Sequence, residues 1–153
     1  AVLGLRAAAG GRLAEQAHRI LLIAGRTGEA RQVAERYIDA TTNPNWSLLV
    51  NLRQACAEGR IEDAEGYYAS FDFSSFDPAN NNIQWLALKT LGRIEEADEL
   101  LRPLDRPEWH IRLAELLSYT HFDPSPYPNL SKRLEEQGIM RYETVPINFA
   151  CRR

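Results

Sequence analysis

Three six-residue stretches of the sequence share one pattern: GRTGEA at residues 25–30, GRIEDA at 59–64 and GRIEEA at 92–97. The alanines that end them, Ala30, Ala64 and Ala97, are spaced by 34 and 33 residues. Self-similarity at a nearly fixed period of this length is the signature of repeat architectures. The sequence therefore predicts three copies of one structural unit, each built around this stretch.

Each copy predicts the turn of a helical hairpin. Glycine ends a helix readily because the left-handed conformation costs it nothing. The acidic residues that follow are favoured in the first turn of the next helix, where the helix dipole is positive. The alanine lets the two helices approach closely. Apolar residues on both sides recur with helical spacing, and prolines at positions 44, 78 and 107 separate the units.

A unit of about 34 residues with glycine at the turn, alanine early in the second helix and proline near the end resembles the tetratricopeptide repeat. The resemblance covers roughly residues 11–111, in units near 11–44, 45–78 and 78–111. His18, Leu52 and Trp85 replace the small residue usual in the first helix, and residues 71–77 form a longer connector. The resemblance implies an all-α fold, a right-handed α-superhelix of about three to four helical hairpins with an extended C-terminal tail.

The sequence divides into a repeat array over residues 1–120 and a capping helix with an extended tail over 121–153, in the same domain. A fourth first helix is predicted at 108–119, and a proline-stiffened linker and a short helix at 129–137 follow it. Apolar residues then alternate from position 145 to 151 with a period of two. This tail either covers the last repeat as an ordered segment or pairs with something outside the chain.

Composition excludes several classes of protein. A net charge of −3 argues against binding to nucleic acid or to anionic membranes. No apolar run approaches the roughly 18–20 residues of a membrane span. The two cysteines, Cys56 and Cys151, have neither metal-site spacing nor a disulfide pattern. We expect two unrelated thiols in a reduced cytoplasmic protein, although the two could meet if the tail crosses the inner surface.

Residue types that carry catalysis do not combine in a reactive pattern. His18, His110 and His121 lack the i, i+4 spacing of a helical metal site. The glycine-rich spots do not match a phosphate-binding loop, and the acidic pairs fall at helix starts or on solvated faces. We expect His18 to be a packed or half-exposed residue of its helix. The sequence predicts no catalytic residue, no metal site and no cofactor, and the chain is not expected to be an enzyme.

The resemblance also implies a binding surface, because the first helices of this family line a concave groove that holds a peptide. Three basic residues would form a stripe there, beside an aromatic and an amide side chain, and guanidinium groups suit carboxylates. The groove is therefore expected to take an acidic peptide or a C-terminal carboxylate; the alternative is a solvated face with no ligand. The predicted groove residues are Arg12, Glu15, Arg19, Trp46, Leu49, Arg53, Asn82 and Lys89.

These features predict a protein–protein interaction module of the cytoplasm that binds a peptide or partner protein. Self-association is a further expectation, since exposed aromatic residues could serve a dimer as easily as a core. The alternative is a regulatory or oligomerisation region at the C-terminal end of a larger bacterial signalling or transcriptional protein. That alternative draws on the absence of an initiator methionine and on the proline-rich segment near residues 123–128.

Overall fold

The three glycine turns form as predicted, and each ends a helix in the same way. Gly25, Gly59 and Gly92 have φ angles of 73°, 75° and 81°, in the left-handed region. In the first turn, the N–H of Arg26 donates to the carbonyl of Leu21 across 2.8 Å. This is the bond that defines a Schellman motif, and it recurs after the second and third glycines. The repeat in the sequence is therefore a repeat of one helix-ending geometry.

The computed structural model describes residues 2–37, 43–74, 79–118, 123–139 and 147–151. Within these ranges the fold is all-α, with no strand. Two short 3₁₀ helices, Arg102–Leu104 and Pro107–Trp109, lie in the second half of the chain. The α-helices are α1 (Val2–Ile23), α2 (Thr27–Tyr37), α3 (Pro44–Ala57), α4 (Ile61–Ala69), α5 (Ala79–Leu91), α6 (Ile94–Leu101), α7 (His110–Ser118) and α8 (Pro128–Glu136).

The helix bounds lie near those that the sequence predicts, with two differences: α4 ends at Ala69, before Phe71, and α1 begins earlier than expected. Helix α1 begins at Val2 rather than near residue 11, because the alanine-rich stretch before residue 11 itself favours a helix. Helix α3 begins as expected for an asparagine cap followed by proline. The Asn43 side chain accepts a hydrogen bond from the Asn45 N–H across 3.0 Å, and Pro44 occupies the first helical position.

The arginine, the acidic residue and the alanine of the repeated pattern also have structural roles. Arg26 donates to both carboxylate oxygens of Glu29, at 2.7 and 2.6 Å, and Arg60 donates to Asp63 across 2.6 Å. These two arginines thus pair with an acidic residue in the first turn of the following helix, whereas Arg93 pairs with Glu65. Ala30, Ala64 and Ala97 are all completely buried, which confirms the close-packing position that the sequence predicts.

The chain forms two compact units, of which the first comprises Ala1–Arg93 and Asn148–Arg153. Within it α1 packs on α2 and α3 packs on α4, and α3 also contacts α1, α2 and α5. Large apolar side chains of α3 and α5, such as Leu49, Ile83 and Trp85, fill its core.

The second unit comprises Ile94–Ile147, and its core includes Leu101, Leu113, Tyr127 and Leu130. The Tyr127 hydroxyl donates to the Asp98 carbonyl across 3.1 Å, which fastens the segment before α8 to α6. The sequence predicts a division between residues 120 and 121, whereas the boundary between the two compact units lies between residues 93 and 94. The predicted division stays a prediction.

Replacing Gly59 with alanine is expected to cost about 1–2 kcal/mol of unfolding free energy, because a Cβ is strained at positive φ. No atom lies within 4 Å of the position that this Cβ would take, so the cost is conformational rather than a clash. Gly66 is a matched control: it lies inside α4, equally open, without a positive φ. Gly66→Ala should instead stabilise by roughly 0.5–1 kcal/mol. Urea unfolding measures both, and equal effects at the two glycines would contradict the assignment.

Candidate functional site

The structure places the predicted groove residues in three different environments. Glu15, Leu49 and Arg53 are buried, at 7%, 0% and 1% exposure, so their side chains do not face a ligand at the surface. Arg12 lies in α1, and its side chain is outside the described part of the chain. The remaining four, all partly exposed, are Arg19, Trp46, Asn82 and Lys89. The continuous basic stripe through Arg19, Arg53 and Lys89 therefore lacks its central member.

Arg53 is buried because it pairs with another predicted groove residue. Its Nη1 donates to Glu15 Oε1 across 2.6 Å, which joins α3 to α1. A buried charge needs a partner, since the interior penalises an isolated one by several kcal/mol. The pair thus holds the first helices of two successive hairpins together.

His18 lies beside this ion pair and is completely buried, which is the packed alternative that the sequence predicts. Gln54 Nε2 donates to the Thr27 carbonyl across 3.1 Å, so its oxygen is free to accept from His18 Nε2, 2.9 Å away. Burial lowers the pKa of His18 from 6.5 to about 4; Arg53 adds to the lowering, whereas the hydrogen bond to Gln54 and the charge of Glu15 oppose it. His18 is therefore neutral at physiological pH.

Helix α5 carries a second group of polar side chains. Lys89 Nζ lies 5.6 Å from the ring centroid of Trp85, a cation–π contact. Asn82 and Lys89 are seven residues apart, so they share one face of the helix. Asn82 Oδ1 is buried and accepts no hydrogen bond within the described chain. The part of the predicted groove that lies on α5 therefore carries one positive charge, from Lys89, whereas the Asn82 oxygen is buried.

The structure also assembles a surface whose residues are not among the predicted groove residues. Tyr68, Phe71 and Phe73 are each half-buried, with ring centroids 5.7 Å apart for the first pair and 5.2 Å for the second. Arg93 lies over the Tyr68 ring at 4.6 Å from its centroid, and Gln84 Nε2 contacts the Tyr68 hydroxyl at 3.5 Å. We call these five residues the aromatic patch.

Hydrogen bonds from Asn45 to the backbone of Asp72, which lies between Phe71 and Phe73, hold the aromatic patch in place. Asn45, buried at the start of α3, donates to the carbonyl of Asp72 across 2.8 Å and accepts from its N–H across 3.2 Å. The same Asn45 amide also donates to Asn80 Oδ1 at the start of α5. The backbone between Phe71 and Phe73 is thus tied to two helices. Tyr68 and Phe71 continue the helical spacing of apolar residues, which favours core positions; the signal for a surface is the phenylalanine-rich connector at residues 71–77.

Among the described residues of the second unit, polar side chains form a dense cluster centred on Asp105. Its carboxylate accepts from the N–H groups of Asn129 and Leu130, at 3.0 and 2.8 Å, and so caps α8 from 24 and 25 residues away. His110 Nε2 donates to the same carboxylate across 3.1 Å, and Arg133 contacts His110 Nδ1 at 3.4 Å. Because every member has a partner within the fold, the cluster positions α8 against α7.

The described ranges contain neither a cluster of metal-ligating side chains nor a helix that could span a membrane. Among these residues, no three His, Cys, Asp or Glu side chains come together as a metal site. His121, one of the candidate histidines, lies outside them. Over the same part of the chain, no helix has the length and apolar character that crossing a membrane requires.

The two cysteines form a disulfide, so the expectation of two unrelated thiols is wrong. Cys56 in the last turn of α3 is bonded to Cys151, with Cα atoms 4.4 Å apart. The chain near Cys151 lies across helix ends rather than along a helix face. Asn148 Nδ2 donates to the Ile23 carbonyl at the end of α1 across 2.7 Å, and the Cys151 N–H donates to the Thr90 carbonyl in α5 across 2.8 Å.

Comparison of the chain with protein-family models, with curated proteins and with solved structures finds no match in any of the three. The residues themselves therefore carry the functional argument.

Proposed function

We propose that the protein is a tetratricopeptide-like interaction module that binds a partner polypeptide through the aromatic patch. The observation that carries the proposal is a set of half-exposed aromatic rings and an arginine that are already assembled and anchored. Tyrosine and arginine dominate the residues that supply most binding energy at protein interfaces. Rings fixed before binding lose little conformational entropy when a partner arrives.

Charge favours an acidic segment as the partner. Arg93 is paired with Glu65 at 3.5 Å, and its side chain remains 28% exposed. A guanidinium group has five N–H donors, so a partner carboxylate can bind Arg93 beside Glu65. An acidic peptide that also carries an apolar side chain would thus use both the charge and the rings.

The helical arrangement of the first unit supports the repeat component of the proposal. Two hairpins, α1–α2 and α3–α4, use the same Schellman turn and the same buried alanine. The first helix of the second hairpin, α3, contacts both α1 and α5. Successive first helices in contact are what a right-handed superhelix of hairpins requires.

The disulfide bears on the cellular location. Disulfides persist in oxidising compartments, and those that form in the cytoplasm are usually transient and act in redox sensing. The cytoplasmic location was predicted from two unrelated thiols, so that location now requires a Cys56–Cys151 bond that is formed and broken in use.

Charge reversal at Arg93 tests the proposed surface. Arg93→Glu is expected to weaken capture of the partner about tenfold or more, because loss of a hot-spot arginine costs at least about 1.4–2 kcal/mol. Arg26→Glu is the matched control, since Arg26 occupies the same place in the first copy of the repeat pattern. The measurement is quantitative mass spectrometry of proteins retained from a native lysate, followed by fluorescence anisotropy with a peptide from the retained partner and its Glu→Gln analogue.

Circular dichroism must show that both variants keep the helical signal of the parent. Equal capture by the parent and the Arg93→Glu variant would contradict the proposal.

The alternative, an oligomerisation region, draws on exposed apolar residues of α1, where Leu13, Ile20 and Ile23 are 54–65% exposed. Light scattering of the same purified samples over a range of concentrations separates the two functions.

A further inference from the structure

We propose that the Cys56–Cys151 disulfide is a redox-operated clasp, which holds residues 148–151 across the carboxyl ends of α1, α3 and α5 and releases them when a dithiol reduces it. Residues 148–151 are called the clasp segment below. The reaction transfers two electrons and two protons: the S–S bond breaks, Cys56 and Cys151 each gain a hydrogen, and the dithiol becomes a disulfide. The inference is independent of the aromatic patch.

The first support is the position of the clasp segment. It meets three first helices at their carboxyl ends, through the Asn148 side chain on α1, the disulfide on α3 and the Cys151 N–H on α5. These are the helix ends at which the glycine turns begin. One segment, 95 residues from its covalent partner in sequence, thus bridges three repeats.

The second support is that the helices have a core of their own. Leu49, Leu52 and Ile83 are completely buried in the packing of α1–α5, and the Glu15–Arg53 ion pair joins α1 to α3 without the clasp segment. The clasp segment adds Phe149, which is 7% exposed, and a few hydrogen bonds. Loss of the covalent bond therefore frees a peripheral segment, while the interactions that hold the helices remain.

The third support is access to the sulfur atoms. The two cysteines are only 5% and 7% exposed, but a cavity of about 330 Å³ opens beside Cys56. It lies between the clasp segment and the turn from α3 to α4, and is lined by Gly59, Ile61, Asn148 and Ala150 as well. Because Cys56 lines this cavity, a small thiolate that enters it contacts that cysteine without unfolding of the helices. Release of the clasp segment would in turn uncover the α3–α4 turn.

The test compares the whole chain before and after dithiothreitol, the dithiol probe, under native conditions. Reduction should add two hydrogen atoms to the mass and make both cysteines alkylable. Backbone hydrogen exchange in residues 148–151 should accelerate by about tenfold or more, whereas exchange within α3 and α5 should change by less than about twofold. Reoxidation with glutathione disulfide should restore the slow exchange.

Two variants complete the design. Cys56→Ser with Cys151→Ser should show the fast exchange with or without dithiothreitol. Asn148→Ala, which keeps the disulfide, is the matched control and should retain a dithiothreitol-dependent change. A clasp segment that stays equally protected after reduction would overturn the proposal, as would loss of the helical signal on reduction, because the bond would then be a structural staple. Two free thiols in chain incubated with glutathione disulfide would overturn it as well.

Discussion

Replacing Arg53 with methionine is expected to lower the free energy of unfolding by about 3–5 kcal/mol, the cost of leaving a buried partner charge uncompensated. The charge left behind is the Glu15 carboxylate, whose side chain is 9% exposed. Methionine fills much of the volume of the arginine stem, so the loss arises from charge rather than from a cavity. Urea unfolding at neutral pH measures it.

A double variant separates charge from packing. Adding Glu15→Met to Arg53→Met removes both charges, and replacing a buried ion pair with apolar residues is often neutral or stabilising. The double variant should therefore recover most of the lost stability. Arg26→Met is the exposed control, since Arg26 and Glu29 are more than half exposed and such pairs contribute about 0–1 kcal/mol. A loss below about 1 kcal/mol for Arg53→Met would show that the pair is not buried in solution.

Local signals in the sequence predicted the helices well. The pattern of glycine, acid and alanine specifies a turn by backbone conformation and close packing, both of which depend on neighbouring residues only. For the same reason the Asn43 cap and the break at Pro44 could be read directly. The role of Asp105 could not be predicted in this way. Asp105 caps α8 across 24 and 25 residues, and no local spacing rule connects an acidic residue to a helix that far along the chain.

Pairing between residues that are distant in sequence also explains why only some of the predicted groove residues lie at the surface. Arg53 has the charge and the position expected of a groove residue. Whether such a side chain is exposed or is buried in an ion pair depends on a partner residue on another helix. Glu15 provides that partner, and Gln54 similarly provides one for His18. The aromatic patch depends on Asn45, which fixes a connector that has no helical periodicity. Cys56 and Cys151 meet because the tail returns to the first unit, which alternation in the tail did not indicate.

Acidification is expected to destabilise the protein through His18. The folded pKa of His18, about 4, lies below its ordinary value of 6.5, so between these values the unfolded chain binds a proton that the folded chain does not. The free energy of unfolding therefore falls as the pH falls through this window and is highest above it. From pH 7.5 to pH 5 the contribution of His18 is about 2 kcal/mol, and it approaches roughly 3 kcal/mol below pH 4.

His18→Gln isolates this contribution because glutamine does not titrate and can still donate to Gln54. The variant should be less stable than the parent at pH 7.5, where packing of the imidazole is lost, and should lose about 2 kcal/mol less between pH 7.5 and pH 5. The two proteins differ at this one residue, so the difference between their stability curves reports the change at position 18. Parallel stability curves for the two proteins would mean that His18 is protonated in the folded state, and hence that the helices open around it in acid.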